Sequence, residues 1–194
     1  VVALEDGAGA ERREVAARTR LAHPGRLTLT SSLGRLFDAV AFLLGLADEN
    51  HHEAQAAMAL ESAARRAKPG LTLTFNIETG QDDRNGPLEL DVRPMTRELV
   101  AARQAGQNVA VLARAFHETM AAGLTQVAIA IARNYGLNRV VLSGGCFANR
   151  VLLGALSDRL MRADLDVWTH RLVPTGDGGV SLGQAVCAAR RFEG

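Results

Sequence analysis

Cysteine is nearly absent from this chain. The two present, Cys146 and Cys187, form neither a CxxC pair nor a disulfide framework, so a reducing, cytoplasmic setting is expected. Large aromatics are as scarce. One tryptophan (Trp168) and one tyrosine (Tyr135) argue against the stacking platforms that bind single-stranded nucleic acid. No excess of one charge exists either: 22 Lys and Arg against 21 Asp and Glu leave a formal +1. Such a balance gives no electrostatic reason for a nucleic acid or an anionic membrane as partner. No apolar run approaches the ~20 residues of a membrane span, and no signal peptide opens the chain. The absence of G-x-x-x-x-G-K-[ST] argues against a Walker-type ATPase, and the lack of a G-x-G-x-x-G argues against a Rossmann dinucleotide site. What remains is a chain of 194 residues, 47% apolar, sufficient for one domain or one large lobe with a true core. It begins with Val1 and is expected to be a piece of something longer.

Periodicity then orders the chain. A helical stretch is predicted at Glu11–Arg20, and Thr30-Ser31-Ser32 starts a helix carrying Leu36, Phe37, Val40, Leu43 and Leu44 inward. Glu53 to about Lys68 forms another, with Ala56, Ala57, Leu60 and Ala64 on one face, stopped by Pro69-Gly70. Leu71–Ile77 alternates like a half-buried strand, and Leu88–Val92 is its hairpin partner. Pro94 opens a helix that ends near Gly106. Asn108 caps a long one, Val109–Tyr135, whose inner stripe is Val111, Leu112, Ala115, Met120, Leu124, Val127 and Ile131. Strand 139–143, helix 149–163, strand 166–170 and helix 179–191 complete the chain. The alternation predicts an α/β fold with a parallel or mixed sheet covered by helices.

Two glycine-rich loops stand where such sheets bind ligands, beyond the carboxyl ends of strands. The first is Ser143-Gly144-Gly145-Cys146-Phe147-Ala148-Asn149, the second Pro174-Thr175-Gly176-Asp177-Gly178-Gly179. Strand, glycine turn and helix together aim backbone N–H groups at an anion or nucleotide. Ser143 can donate or accept, Gly144 and Gly145 can present bare amides to a phosphate, and Asn149 offers a donor and an acceptor to a base or ribose. Asp177, flanked by glycines, suits a metal ion beside phosphates, or else caps the following helix. His51-His52-Glu53 lacks the second histidine of H-E-x-x-H and reads as a solvated helix start, where Glu53 could also accept from ribose hydroxyls. Cys146 lies at a junction that would lower a thiol pKa, yet no His–Asp relay accompanies it, so a packing role is expected. His117 reads as structural or partly exposed. His170 ends a strand near the Asp177 loop.

Several blocks together resemble one family. Val141–Leu153, then Thr169-His170-Arg171 with Val173-Pro174, then Asp177-Gly178-Gly179 with Leu182-Gly183-Gln184-Ala185, are similar to the C-terminal part of the HypF-type carbamoyltransferases of nickel–iron hydrogenase maturation. Ser31–Val40 and Glu53–Glu61 match the same family in the same order. The resemblance covers residues 28–191 and is specific as a string of blocks.

It implies the second lobe of a domain with the two-lobed actin/Hsp70/sugar-kinase (ASKHA) fold, related to tRNA threonylcarbamoyl-transfer enzymes. Residues 28–194 would be that nucleotide-binding lobe, preceded by a segment, 1–27, of unassigned role. The family makes carbamoyl-adenylate from carbamoyl phosphate and ATP and passes the carbamoyl group to the C-terminal cysteine of HypE. By position, Gly144, Gly145 and Asn149 would bind nucleotide, with Ser143 and Gly178 beside them. Glu53 would hold ribose, and Asp177 would act catalytically by helping to ligate a divalent metal (iron or zinc, with magnesium possible). The family's histidine-rich metal motif belongs to the first lobe, so this piece is expected to be inactive alone. Other readings keep the fold: an O-carbamoyltransferase acting on a small-molecule hydroxyl, or an interaction module without catalysis, given that His52-Glu53-Ala54 and Gly176 depart from the family pattern.

Overall fold

The computed structural model describes His23, residues 30–79 and residues 87–192. The helix expected at Glu11–Arg20, the segment 1–27 apart from His23, and the turn at 80–86 lie outside the described residues. Two units divide the chain, residues 1–32 and 33–194. In the described part of the first, the Ser32 N–H donates to Thr30 Oγ1 at 3.1 Å.

The second unit is built on one long helix. Its elements run α1 (Leu33–Leu43), α2 (Gln55–Ala64), β1 (Asn76–Thr79), β2 (Leu88–Asp91), α3 (Arg93–Gln104) and α4 (Val109–Tyr135). Then follow β3 (Arg139–Leu142), a 3₁₀ turn (Gly145–Ala148), α5 (Arg150–Arg162), β4 (Asp166–Thr169), a second 3₁₀ turn (Asp177–Gly179) and α6 (Val180–Phe192). Asn108 caps α4 as expected, its Oδ1 accepting from the Ala110 N–H at 2.8 Å. Gly136, in the left-handed region at φ +64, ends it. Leu112, Ala113, Ala115, Phe116, Met120 and Ala121 form its buried stripe, against which α2 and α5 pack. Small alanines on α2 and α4 let the helices approach closely while Leu60, Leu112 and Phe116 fill the space between. The distal half differs from expectation: Ile131 is exposed, while its neighbour Ala132 is the buried residue there.

Two other expectations shift for physical reasons. Helix α2 starts at Gln55 rather than Glu53, since Ala54 adopts a left-handed conformation (φ 58) that a helix cannot contain. The strand expected at Leu71–Ile77 begins only at Asn76. Its alternation has another cause. Leu73 is buried, and its N–H donates to Thr119 Oγ1 of α4 at 2.9 Å, while the Thr74 N–H donates to Glu98 Oε2 of α3 at 3.0 Å. Residues 71–75 therefore lie extended across helices, with side chains taking the place of a ladder.

Among the described residues the strands form two separate two-stranded sheets, an antiparallel hairpin β1–β2 and a parallel pair β3–β4. In the parallel pair Val140, Leu142 and Val167 face the core, whereas Arg139, Val141, Asp166 and Trp168 face outward. That outer face is apolar in part and tied together. The Arg139 guanidinium lies 4.4 Å from the Trp168 ring centroid, and Asp166 Oδ2 accepts from both Arg139 Nε (3.0 Å) and Trp168 Nε1 (2.8 Å). Helix α6 is exposed along its whole length, Leu182 and Val186 included.

Thr119 joins a buried backbone donor to the long helix, and its hydroxyl in turn donates to the Ala115 carbonyl at 2.8 Å. Thr119→Val keeps the shape but orphans the Leu73 N–H. Urea unfolding is expected to show a loss of about 1–3 kcal/mol, and an unchanged midpoint would remove that hydrogen bond from the account.

Candidate functional site

Both glycine loops emerge from the carboxyl ends of neighbouring parallel strands, and they touch. The Gly144 N–H donates to the Thr175 carbonyl at 2.8 Å. A Cβ placed on Gly176 would stand only 3.7 Å from Gly145 Cα. Beside this seam Ser143 Oγ and His170 Nε2 are 2.9 Å apart, both near the surface. Two glycines are demanded by geometry. Gly144 sits at φ +112, a conformation that L side chains rarely adopt, and a Cβ on Gly179 would meet the Pro174 carbonyl oxygen at 2.7 Å. The backbone thus brings Gly144 and Gly145 of the first loop against Thr175 and Gly176 of the second.

The amide donors are arranged differently from expectation. Gly144 gives its N–H to Thr175, so it joins the loops and does not face a ligand. At the head of α5 the Arg150 N–H donates to Glu61 Oε1 from α2 at 3.0 Å, and the Leu152 N–H donates to Asn149 Oδ1 at 3.0 Å. A carboxylate already neutralises the positive end of α5, so this helix does not itself offer an anion site. The two 3₁₀ turns open at Gly145 and Asp177, and the first amides of such a turn have no i−3 acceptor within it.

Asn149 is buried, and both ends of its amide are engaged inside the protein: Oδ1 on Leu152, Nδ2 on His117 Nε2 at 2.9 Å. The capping role occupies the groups expected to read a base or ribose. His117 is fully buried between the edges of Phe37 and Phe116, and its Nδ1 donates to the Ala113 carbonyl at 2.7 Å. Burial pushes the imidazole below its ordinary value of 6.5, so the neutral ring is the resident form. Nearby, Glu118 of α4 accepts from Arg114 (2.8 Å) and from Arg159 of α5 (3.1 Å). Burial alone would raise its carboxyl, but these two guanidinium hydrogen bonds prevail and hold it below the usual range.

The remaining candidates are scattered. Glu53 is exposed on the turn before α2, and the side-chain link from α2 to the head of α5 is made by Glu61 instead. His51 and His52 are exposed, with His52 Nδ1 near the Glu53 carbonyl. Cys146 is half-buried against the core, and burial pushes its thiol up, the opposite of what a nucleophile needs. Asp177 is exposed at the start of its turn. Among the described residues no three His, Cys, Asp or Glu side chains gather as a metal site. A single carboxylate therefore does not fit a resident metal on this chain alone.

A family model described as "Carbamoyltransferase, Kae1-like Domain, second subdomain" matches residues 3–184. The chain belongs to this family. The match begins upstream of residue 28, where the resemblance in the sequence set in. The chain is similar to carbamoyltransferase HypF of Synechocystis sp., 35% identical over 170 residues, covering 87% of this chain and 21% of that protein. It is 39% identical over 160 residues to carbamoyltransferase HypF of Rhizobium leguminosarum bv. viciae, covering 82% and 20% respectively. A full-length HypF solved in its phosphate- and nucleotide-bound form superposes with a TM-score of 0.83 at 33% identity, covering 94% of this chain and 23% of that one. The chain thus spans about a fifth of the length of these relatives.

In this HypF-type subdomain, sequence reasoning found the loops but missed the groups that hold them. His117 and Glu61 fall on helical positions where periodicity signals only burial or solvent. A histidine placed on the inward stripe beside Phe116 was the one available clue.

Because folding depresses the His117 pKa, the unfolded chain binds more protons between the depressed value and 6.5. This contribution to stability is complete above about pH 6.5 and is lost as pH falls toward the folded value. Denaturant titrations at pH 7.5 and 5.5 are expected to show a decline that His117→Gln reduces; an identical decline in that variant would assign it to other groups.

Proposed function

We propose that this chain is the nucleotide-binding part of a HypF-type carbamoyltransferase, holding adenylate at the seam between its two glycine loops. The observation that carries the reading is the 2.8 Å hydrogen bond from Gly144 to Thr175, which brings the heads of both 3₁₀ turns to one place. There the first amides of each turn can donate to phosphate oxygens, and the glycines leave room for close approach. The nucleotide-bound state of a relative with the same fold supports this use of the loops.

In this reading carbamoyl phosphate and ATP supply carbamoyl-adenylate, and the acceptor is the C-terminal cysteine thiol of a HypE-type protein. The thiolate attacks the carbamoyl carbon, a C–S bond forms, the bond from that carbon to the phosphate oxygen breaks, and AMP departs with both electrons. Fixed amide donors favour the charge that develops on the departing phosphate. Asp177, exposed beside it, contributes a carboxylate to the catalytic centre, and Glu53 to ribose recognition. No group on this chain suffices for the chemistry. The remaining subdomain of the polypeptide would complete the centre, and the outward face of β3–β4 and the uncovered α6 provide apolar surface for packing against it. A cytoplasmic setting follows from the acceptor, and no described helix is long and apolar enough to cross a membrane.

Calorimetric titration of the full-length protein with ATP and AMP is expected to show binding. Asp177→Ala is expected to keep the fold while lowering carbamoyl transfer to HypE by about 100-fold. No nucleotide binding by the full-length protein, or unaltered transfer in the variant, overturns the assignment.

A further inference from the structure

We propose that His117 is a positioning residue for the nucleotide loop: buried under Asn149 at 2.9 Å, it locks the asparagine amide and through it the 3₁₀ turn Gly145–Ala148. The inference rests on the nucleotide reading above, but its geometry can be tested without a ligand.

Each proton in the relay has one possible place. The Ala113 carbonyl only accepts, so His117 Nδ1, at 2.7 Å from it, carries the hydrogen. Nε2 then presents a lone pair, and the Leu152 N–H turns Asn149 Oδ1 away, leaving Nδ2 to donate to that lone pair. The two constraints, imposed from opposite ends, agree. A buried imidazole is costly unless paired, and a leucine would serve packing at this position between Phe37 and Phe116. The hydrogen bonds account for its presence.

The relay continues into the site. The Asn149 N–H donates to the Cys146 carbonyl at 3.2 Å, the Phe147 N–H to the Gly144 carbonyl at 3.0 Å, and Gly144 to Thr175. A shift of Asn149 therefore moves the turn whose first amides face the ligand. Protonation of the ring would set a donor against Asn149 Nδ2 and force the amide to turn, withdrawing the cap from Leu152. Glu61 of α2 and Glu118 of α4 favour that protonation, Arg114 of α4 opposes it, and burial outweighs them.

The test compares the full-length parent protein with His117→Leu, His117→Gln and Asn149→Ser. Hydrogen–deuterium exchange of peptides covering residues 143–153 and calorimetric titration with ATP are the readouts. His117→Leu is expected to speed exchange in that segment and weaken ATP binding by about tenfold each, the scale of one buried hydrogen bond. His117→Gln, whose side-chain carbonyl can accept from Asn149, should recover both to within about threefold. Asn149→Ser retains a helix cap but cannot reach His117, so it should loosen the turn and weaken ATP while Leu152 stays protected. Should His117→Leu not fold, this last variant decides alone. Parental exchange in His117→Leu or Asn149→Ser, or a His117→Gln variant no better than His117→Leu, overturns the proposal. A parent that binds no ATP while these exchange differences persist refutes the nucleotide reading and leaves the positioning role standing.

Discussion

The head of α5 must satisfy its backbone donors, and the rest of the site is arranged around that requirement. A helix begins with N–H groups that have no partner of their own. Here Glu61 reaches across from α2 to take the first, and Asn149 takes the third. Both acceptors are themselves held, Glu61 by Arg65 at 2.6 Å and Asn149 by His117. Among the described residues no buried side-chain nitrogen or oxygen is left without a partner. The Glu61 carboxylate at this helix end already neutralises its positive pole, so the helix does not itself offer an anion site.

This arrangement couples the core to the surface loops. Helix α4 carries His117 and, one residue later, Glu118, whose carboxylate bridges Arg114 and Arg159. Two consecutive residues of a single helix, pointing in directions about 100° apart, thereby position both the start of α5 and its last turn. The β3–β4 pair, packed on α5, carries the two glycine loops at its carboxyl end, where Gly144 and Thr175 join them. Helices hold the base of the two loops, while the loops themselves are short turns rich in glycine, the parts that would face a ligand in the proposed use. Such a division suits a site that must admit a substrate closely and still keep its donors aimed.

Element types were legible wherever local chemistry was strong. The Asn108 cap, the long helix Val109–Tyr135 and the β3–α5–β4 alternation all appear where capping and periodicity put them. Two departures stand out. Leu71–Phe75 alternates because it lies on α4 and α3, not in a sheet, and Ile131 is exposed while its neighbour Ala132 is buried. In the first, the pattern recorded the burial of Leu73 correctly, but the partner that causes it was distant in the chain.

Local sequence by itself determined the helices, the short strands and the positions of the two glycine turns, since these follow from periodicity, capping and the conformational freedom of glycine. Tertiary structure decided which amides are free and which are engaged. Gly144 looked like a ligand donor until Thr175 was brought beside it, and Asn149 looked like a ligand reader until His117, 32 positions earlier, came within 2.9 Å. A hydrogen-bonding group declares its chemistry in the sequence, but its partner is chosen by the fold, because only packing brings distant segments within bonding distance.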